Sequence, residues 1–207
     1  MLRYHLQPCN SDTQGRPTTM VILSEYDLVE TPKRVFFVRS GEQNPCPVCD
    51  GLLKVIGSRR RGYMDGLGDR KVLMIRRLRC SLCKKIHHEL PDLLVPYKRH
   101  ESKSIEAVVS GESTLTVAAD ESTIRRWKQW FSSQADYLAG VLFSIALRLG
   151  MTSVEDVSDL PPSPLQRIWQ HVGNAHRWLA RVVRPVVNAN FWVQTRSAFL
   201  SGKNGLK

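Results

Sequence analysis

Residues 46–83 read CPVCDGLLKVIGSRRRGYMDGLGDRKVLMIRRLRCSLC, and the cysteine pairs at the two ends of this segment govern the architecture. Two residues separate Cys46 from Cys49, and two separate Cys80 from Cys83. A spacer of two residues lets a tight turn direct both sulfurs at one cation, and two such turns complete a tetrahedral four-sulfur site. The spacing predicts one closed, structural Zn²⁺ site per chain, in preference to iron or an iron–sulfur cluster.

Three histidines and a fifth cysteine are the other potential metal ligands considered. His87 and His88 follow Cys83 closely, and either could replace a sulfur in a three-sulfur, one-nitrogen site. Because neighbouring strand residues point to opposite faces, we favour one buried, hydrogen-bonded histidine and one exposed histidine. His100 is expected on a solvated linker, and Cys9 is expected to be a free thiol.

Periodicity predicts an α+β fold with a zinc ribbon, which is a β-hairpin carrying the two cysteine pairs. The runs 52–56 and 71–79 look extended, with a polar glycine turn between them. Two short strands are predicted ahead of them, at 20–24 and 35–38. Helices are predicted over 102–110, 121–131, 135–149, 163–172 and 175–187. The predicted segments are a β-rich leader (1–45), the zinc ribbon (46–100), a helix-turn-helix-like DNA-binding segment (101–131) and a C-terminal helical bundle (132–207).

The charge of the chain points to a polyanionic partner. The chain has 30 Lys and Arg against 19 Asp and Glu, a net charge of +11. Residues 46–100 hold 13 of those cations and five of the anions. This density predicts phosphate contacts, with double-stranded DNA as the partner. The candidate contacts on the hairpin are Arg59, Arg60, Arg61, Arg76, Arg77, Arg79, Lys84 and Lys85.

A second candidate DNA contact is the predicted helix that follows Asp120. Asp120 can accept hydrogen bonds from the first turn, and Ile124, Trp127 and Phe131 fall on one helical face. The opposite, polar face is typical of a recognition helix, although nine residues separate it from the preceding helix. Either residues 114–118 form an extra turn or the helix is mounted differently. The candidate contacts here are Ser122, Thr123, Arg125, Arg126 and Gln129.

At Ser122-Thr123-Ile124-Arg125-Arg126-Trp127 the chain resembles the helix-turn-helix domains of bacterial transposases and transposon-linked regulators. The likeness continues through the cysteine segment, Ile86 to Pro91, Pro96 to Arg99, Phe191-Trp192 and Thr195 to Leu200. These stretches resemble an uncharacterised bacterial family encoded beside transposition genes. The resemblance implies a non-catalytic accessory or regulator of a mobile element, with a transposase or ATPase encoded nearby as partner.

Two other functions compete with DNA binding. One is a protein-interaction adaptor that docks on a transposase or ATPase and binds nucleic acid weakly. The other is a metal-dependent nuclease or transposase, which the scattered carboxylates Asp65, Asp69, Glu89 and Asp92 do not favour. We therefore expect no enzymatic activity.

The location and oligomeric state follow from apolar segments. The longest apolar stretch, residues 137–149, is shorter than the ~20 residues of a spanning helix, and the N-terminus lacks a secretory pattern. A cytoplasmic location without membrane contact is expected. The terminal aromatic residues Phe191, Trp192 and Phe199, with Leu200, are expected in the core, with a homodimer seam as the alternative.

Overall fold

The computed structural model describes residues 19–111, 117–151 and 163–193. Within these residues the fold is α+β, with one mixed six-stranded sheet followed by four helices, which confirms the predicted class. Cys9, Phe199, Leu200 and most of the proposed extra turn at 114–118 lie outside the described residues. The strands are β1 Thr19–Leu23, β2 Asp27–Glu30, β3 Val35–Arg39, β4 Leu53–Met64, β5 Arg70–Cys80 and β6 Ile86–Pro91, and the helices are α1 Ser102–Ser110, α2 Glu121–Arg148, α3 Pro164–Val172 and α4 Trp178–Asn188.

Strand β5 organises the sheet because different strands share its two edges. One edge pairs antiparallel with β4 along the whole hairpin. The other edge pairs in parallel with β3 near Leu73 and antiparallel with β6 near Leu78. Strand β1 then adds in parallel to β6, and β2 adds antiparallel to β3. The strands predicted ahead of the cysteines therefore exist and belong to the same sheet as the hairpin.

The hairpin is longer than its sequence suggested. Glycines 57 and 62 lie inside β4, where we expected the turn to begin, and the strand ends only at Met64. A register shift between Val55 and Gly57 absorbs the irregularity as a β-bulge. The turn is confined to 65–69, where the Asp65 carboxylate accepts from the backbone N–H groups of Leu67 and Asp69 at 3.0 and 2.9 Å.

The helical half differs from prediction in one respect. The two helices expected at 121–131 and 135–149 are one continuous helix, α2, because residues 132–134 contain neither proline nor glycine. The Ser133 hydroxyl donates to the Trp130 carbonyl within the helix. The other predicted helices agree with α1, α3 and α4 to within three residues.

The core lies between one face of the sheet and the helices. Ile22, Leu73 and Leu90 from the sheet join Phe131 and Val183 from the helices in one buried cluster. Helix α4 packs on β1, where the Asn188 side chain donates to the Ile22 carbonyl and accepts from the Ile22 N–H, in place of a neighbouring strand. These contacts join the helices to the sheet that carries the cysteine pairs.

Two buried carboxylates, Asp92 and Glu106, reinforce this junction. The Arg177 guanidinium donates to both oxygens of Asp92 at 2.8 Å, and Tyr26 donates to the same carboxylate. The Glu106 carboxylate accepts from the backbone N–H groups of Arg177 and Leu179.

In the described residues, no helix combines the length and hydrophobicity needed to cross a bilayer.

Candidate metal centre and basic cleft

The four predicted cysteines converge at one end of the hairpin. Their sulfurs all lie within 4.8 Å of one another, with Cys46 and Cys83 3.7 Å apart and Cys49 and Cys80 3.5 Å apart. Zinc bound to thiolate sulfur at about 2.3 Å requires sulfur atoms roughly 3.8 Å apart at the corners of a tetrahedron. The tetrad therefore fits one structural Zn²⁺, as the spacing predicted.

The two cysteine turns have matching backbones. Asp50 and Lys84 stand four residues after the first cysteine of each pair, and both have positive φ, 57° and 60°. This conformation turns the chain back after each cysteine pair, so that the Cys46 N–H donates to the Gly51 carbonyl and the Cys80 N–H donates to the Lys85 carbonyl. Gly51 lies against the other turn, where a side chain would place its Cβ 2.9 Å from the Cys80 sulfur. Local backbone geometry thus builds the site.

Backbone donors prepare one thiol for metal binding. Burial raises the pKa of Cys80, but hydrogen bonds from the N–H groups of Cys83 and Leu82 outweigh it and bring the pKa to about 7. Burial raises the pKa of Cys46, which is fully buried. Since zinc binds thiolates, such N–H donors favour the ligand form of the sulfur.

His87 supports the tetrad from outside. Its Nε2 lies 3.3 Å from the Cys46 sulfur, and the Thr19 hydroxyl contacts its Nδ1. The ring is fully buried, and burial followed by the charge of Lys85 lowers its pKa to about 4. The geometry favours four sulfur ligands, with His87 donating to one of them. His88 is also buried and contacts Arg59, so the expectation that one of the two histidines is exposed was wrong.

Some basic residues of the hairpin form contacts within the fold, and others line a cleft that is described below. Arg76 is neutralised, because its Nη2 donates to Glu89 Oε1 at 2.9 Å and its Nε donates to Oε2 of the same buried carboxylate. Arg76 therefore belongs to the fold and is a poor candidate for phosphate contact. Lys84 lies at the cysteine end, and its ammonium donates to the Ser81 carbonyl.

At the opposite end of the hairpin the structure forms a basic cleft of about 590 Å³. Its far wall is the segment 97–101, which is tied to β4 by backbone hydrogen bonds from Met64 N–H to Arg99 and from Glu101 N–H to Met64. The Arg61 guanidinium adds a bond to the Lys98 carbonyl at 2.7 Å. The arginines that line the cleft are Arg59, Arg60, Arg61, Arg70 and Arg99.

These charges are not balanced locally. Burial, then the charges of Arg59 and Arg99, lowers the pKa of Arg61. Among the described residues, no carboxylate forms an ion pair with any of the five arginines. Like charges held together without a counterion cost free energy that a bound anion would recover. The cleft is therefore suited to an anionic ligand.

Helix α2 begins beside this cleft. Asp120 caps it by accepting from the Thr123 N–H at 2.7 Å, as predicted. Trp127 is buried, with its ring centroid 4.8 Å from that of His100, a residue of the cleft wall. Trp130 is buried beneath the ammonium of Lys98, which lies 4.3 Å from its ring.

The predicted polar residues of α2 are distributed around its first turns. Arg125 and Gln129 are exposed, opposite the buried tryptophans. The Arg126 guanidinium folds back onto Ser122 and Thr123, which themselves bond to Asp120. Only Arg125 and Gln129 of this set extend away from the helix without such local bonds.

The candidate contacts predicted from the sequence include three of the cleft's arginines, 59–61; Arg70 was recognised as part of the hairpin's basic cluster but was not among those contacts, and Arg99 and His100 were missed. The signal was present in the basic run Lys98-Arg99-His100, which we had assigned to a solvated linker. His100 is instead half-buried against Trp127. Nothing local indicated that this run pairs with the end of β4.

A family model described as a domain of unknown function, DUF6431, matches residues 46–127. The matched region starts at the first cysteine, spans the hairpin and the cleft, and ends at Trp127 in α2. Neither the curated proteins nor the solved structures include a match to the chain. The similarity thus covers the metal centre and the cleft together.

Proposed function

We propose that the protein is a zinc-stabilised, non-catalytic DNA-binding protein that holds backbone phosphates of double-stranded DNA in the arginine cleft. The observation that carries the proposal is the group of five arginines that no described carboxylate neutralises. Arginine forks match phosphate oxygens, and phosphate contacts supply most of the affinity of non-specific DNA binding. The metal centre, at the other end of the same hairpin, would stabilise the strand that carries Arg59, Arg60 and Arg61.

Helix α2 supports a second line of contact. Its start is fixed to the cleft wall through Trp127 and His100, while Arg125 and Gln129 remain exposed. We propose that these two side chains add contacts to the duplex beside the cleft, in a helix-turn-helix-like arrangement. The role in a mobile element rests on the sequence resemblance, which also suggests a transposase or ATPase as partner.

The acidic residues near the hairpin support binding over catalysis. Asp65 closes the hairpin turn and pairs with Lys71, Glu89 pairs with Arg76, and Asp92 pairs with Arg177. Catalytic carboxylates of a two-metal nuclease need free oxygens directed at the metal ions. These side chains instead serve the fold.

An adaptor function is the second candidate, and one observation favours it. The tips of the cysteine turns expose Leu52 and Leu82, which are 71% and 67% exposed, and Val55 and Ile56 extend this apolar surface along β4. Exposed apolar groups of this kind often mark protein contacts. A partner bound there would leave the cleft at the other end accessible.

Binding over a salt series tests the proposal. We expect duplex affinity to fall steeply with salt, and replacement of Arg59, Arg60 and Arg61 by Ala to flatten the log–log slope by about two to three units. The matched control replaces three exposed cations that do not line the cleft, Arg39, Lys54 and Arg148, by Ala. Equal slopes for the two triple variants would refute phosphate binding in the cleft and favour the adaptor.

A further inference from the structure

The shape of the cleft favours the end of a DNA strand over the interior of a DNA strand. The hydrogen bonds between β4 and the segment 97–101 close one side, so the arginines surround a concavity and do not form a flat stripe. Its volume, about 590 Å³, is that of a small-ligand pocket. An internal phosphodiester has a nucleoside on either side and must follow the surface. A phosphate at the end of a DNA strand has a nucleoside on one side only and can enter the cleft.

The charge of the cleft favours the same ligand. Arg61 is half-buried beside Arg59 and Arg99, so part of its charge is removed from water, and no carboxylate in the described part of the chain pairs with it. A terminal phosphate carries a charge of about −1.5 to −2 near neutral pH and offers three oxygens. An internal diester carries a single charge and two free oxygens. The doubly charged group therefore offsets more of the repulsion and accepts more guanidinium forks.

We infer that the arginine cleft binds the terminal phosphate of a DNA strand, a phosphomonoester, in preference to the phosphodiesters within the strand. The inference rests on the proposed function, since it specifies which phosphate of bound DNA enters the cleft. The hydrogen bond of Arg61 to the Lys98 carbonyl and the contact of Arg59 with His88 hold two of the guanidinium groups in place. Arg70 and Arg99 are exposed at the rim and complete the contacts.

The test compares three blunt duplexes of one sequence that carry 5′-phosphates, 3′-phosphates or hydroxyl groups alone at their ends. We expect a phosphate-ended duplex to bind about tenfold more tightly than the hydroxyl-ended duplex at the same salt concentration. Equal affinity for all three duplexes would overturn the inference. If the hydroxyl-ended duplex still binds through Arg59, Arg60 and Arg61, the proposed function survives that result.

Arginine-to-lysine variants keep the positive charge but remove the planar guanidinium group, so they test whether the preference for phosphate ends depends on guanidinium geometry or on charge alone. Arg70→Lys combined with Arg99→Lys should reduce the preference for phosphate ends, measured as the ratio of the affinities for the phosphate-ended and hydroxyl-ended duplexes, to below about threefold. The matched control, Arg39→Lys with Arg148→Lys, should keep the preference. Retention of the full preference in the cleft variant would contradict the assignment. Bound zinc and thermal unfolding verify that both variants are folded.

Competition distinguishes a strand end from a free nucleotide of the same chemistry. A nucleoside 5′-monophosphate and inorganic phosphate are each added to the complex with the phosphate-ended duplex. We expect both to compete far more weakly than unlabelled phosphate-ended duplex, because they lack the remaining backbone contacts. If the mononucleotide competes as well as that duplex, the cleft is a site for free nucleotides and the inference is wrong.

Discussion

The two ends of the β4–β5 hairpin satisfy their polar groups in opposite ways. At the cysteine end, backbone N–H groups and His87 surround the sulfurs, and the geometry is complete for one metal ion. At the other end, Arg59, Arg61 and Arg99 lie close together, and no carboxylate of the described residues forms an ion pair with them. The first end completes the fold when it binds its ion. The second retains an electrostatic cost that only a ligand relieves, which is the expected character of a functional site.

Strand β6 connects these two ends. Its neighbouring residues His87 and His88 point to opposite faces, so one contacts the Cys46 sulfur and the other contacts the Arg59 guanidinium. Metal binding and the position of a cleft arginine therefore depend on the same short strand. Disruption of the metal centre should therefore displace Arg59 in the cleft, whereas substitutions in the cleft should leave the metal centre intact.

Loss of one zinc ligand is the most severe test of this asymmetry. Cys80→Ser removes a thiolate at the end of β5, and since structural zinc contributes ~10 kcal/mol or more to folding, we expect the hairpin to unfold. Elemental analysis should find one zinc per chain in the native protein and almost none in the variant. Circular dichroism should show the loss of strand structure, and DNA binding should disappear with it.

Cys9 supplies the control for this experiment. Cys9→Ser changes the same chemical group in a residue predicted to be a free thiol, so zinc content should remain at one per chain. A Cys80→Ser protein that keeps its full zinc content would show that the tetrad is not the binding site. Loss of zinc from Cys9→Ser would instead bring a fifth cysteine into the site.

A substitution in α2 tests whether the cleft wall can be weakened without removing an arginine. Trp127 is 4% exposed and contacts His100, so Trp127→Ala should lower the free energy of unfolding by ~3 kcal/mol or more through the cavity it leaves. Arg125→Ala, two residues away and exposed, should change stability little. Urea denaturation of the two variants measures the difference, and zinc content should be unchanged in both. Equal stability of the two variants would contradict the packing of α2 on the cleft wall.

The metal centre was predictable because its geometry is local. Two residues between cysteines determine a turn, and both turns retain that geometry regardless of what packs around them. The cap at Asp120 and the buried face with Trp127 and Phe131 were predictable for the same reason. The start of β4 and most of β5 were recognisable from their β-branched and alternating residues.

The cleft was only partly predictable because it depends on pairing between distant segments. Arg99 and His100 reach Arg61 through backbone hydrogen bonds between the segment 97–101 and the end of β4, which no local pattern encodes. Sequence reasoning also included Arg76 among the phosphate contacts, although Glu89 on the neighbouring strand neutralises it. Charge density located the basic region, but strand pairing determines which charges remain unbalanced.

The smallest changes in stability are expected when an arginine that pairs with a carboxylate, Arg76, and a cleft arginine without such a partner among the described residues, Arg99, are each replaced. Arg76→Ala leaves the Glu89 carboxylate buried without its partner, so we expect a loss of about 2 kcal/mol in the free energy of unfolding, less than for a fully buried pair because Arg76 is partly exposed. Arg99→Ala removes one member of a repulsive group, so stability should stay within about 0.5 kcal/mol of the native protein or rise slightly. DNA binding should change in the reverse order, with Arg99→Ala the weaker binder. Urea denaturation and fluorescence anisotropy on the same preparations give both quantities. A stability loss in Arg99→Ala equal to that in Arg76→Ala would show that the cleft arginines are held by favourable contacts, and the contrast between the two ends of the hairpin would fail.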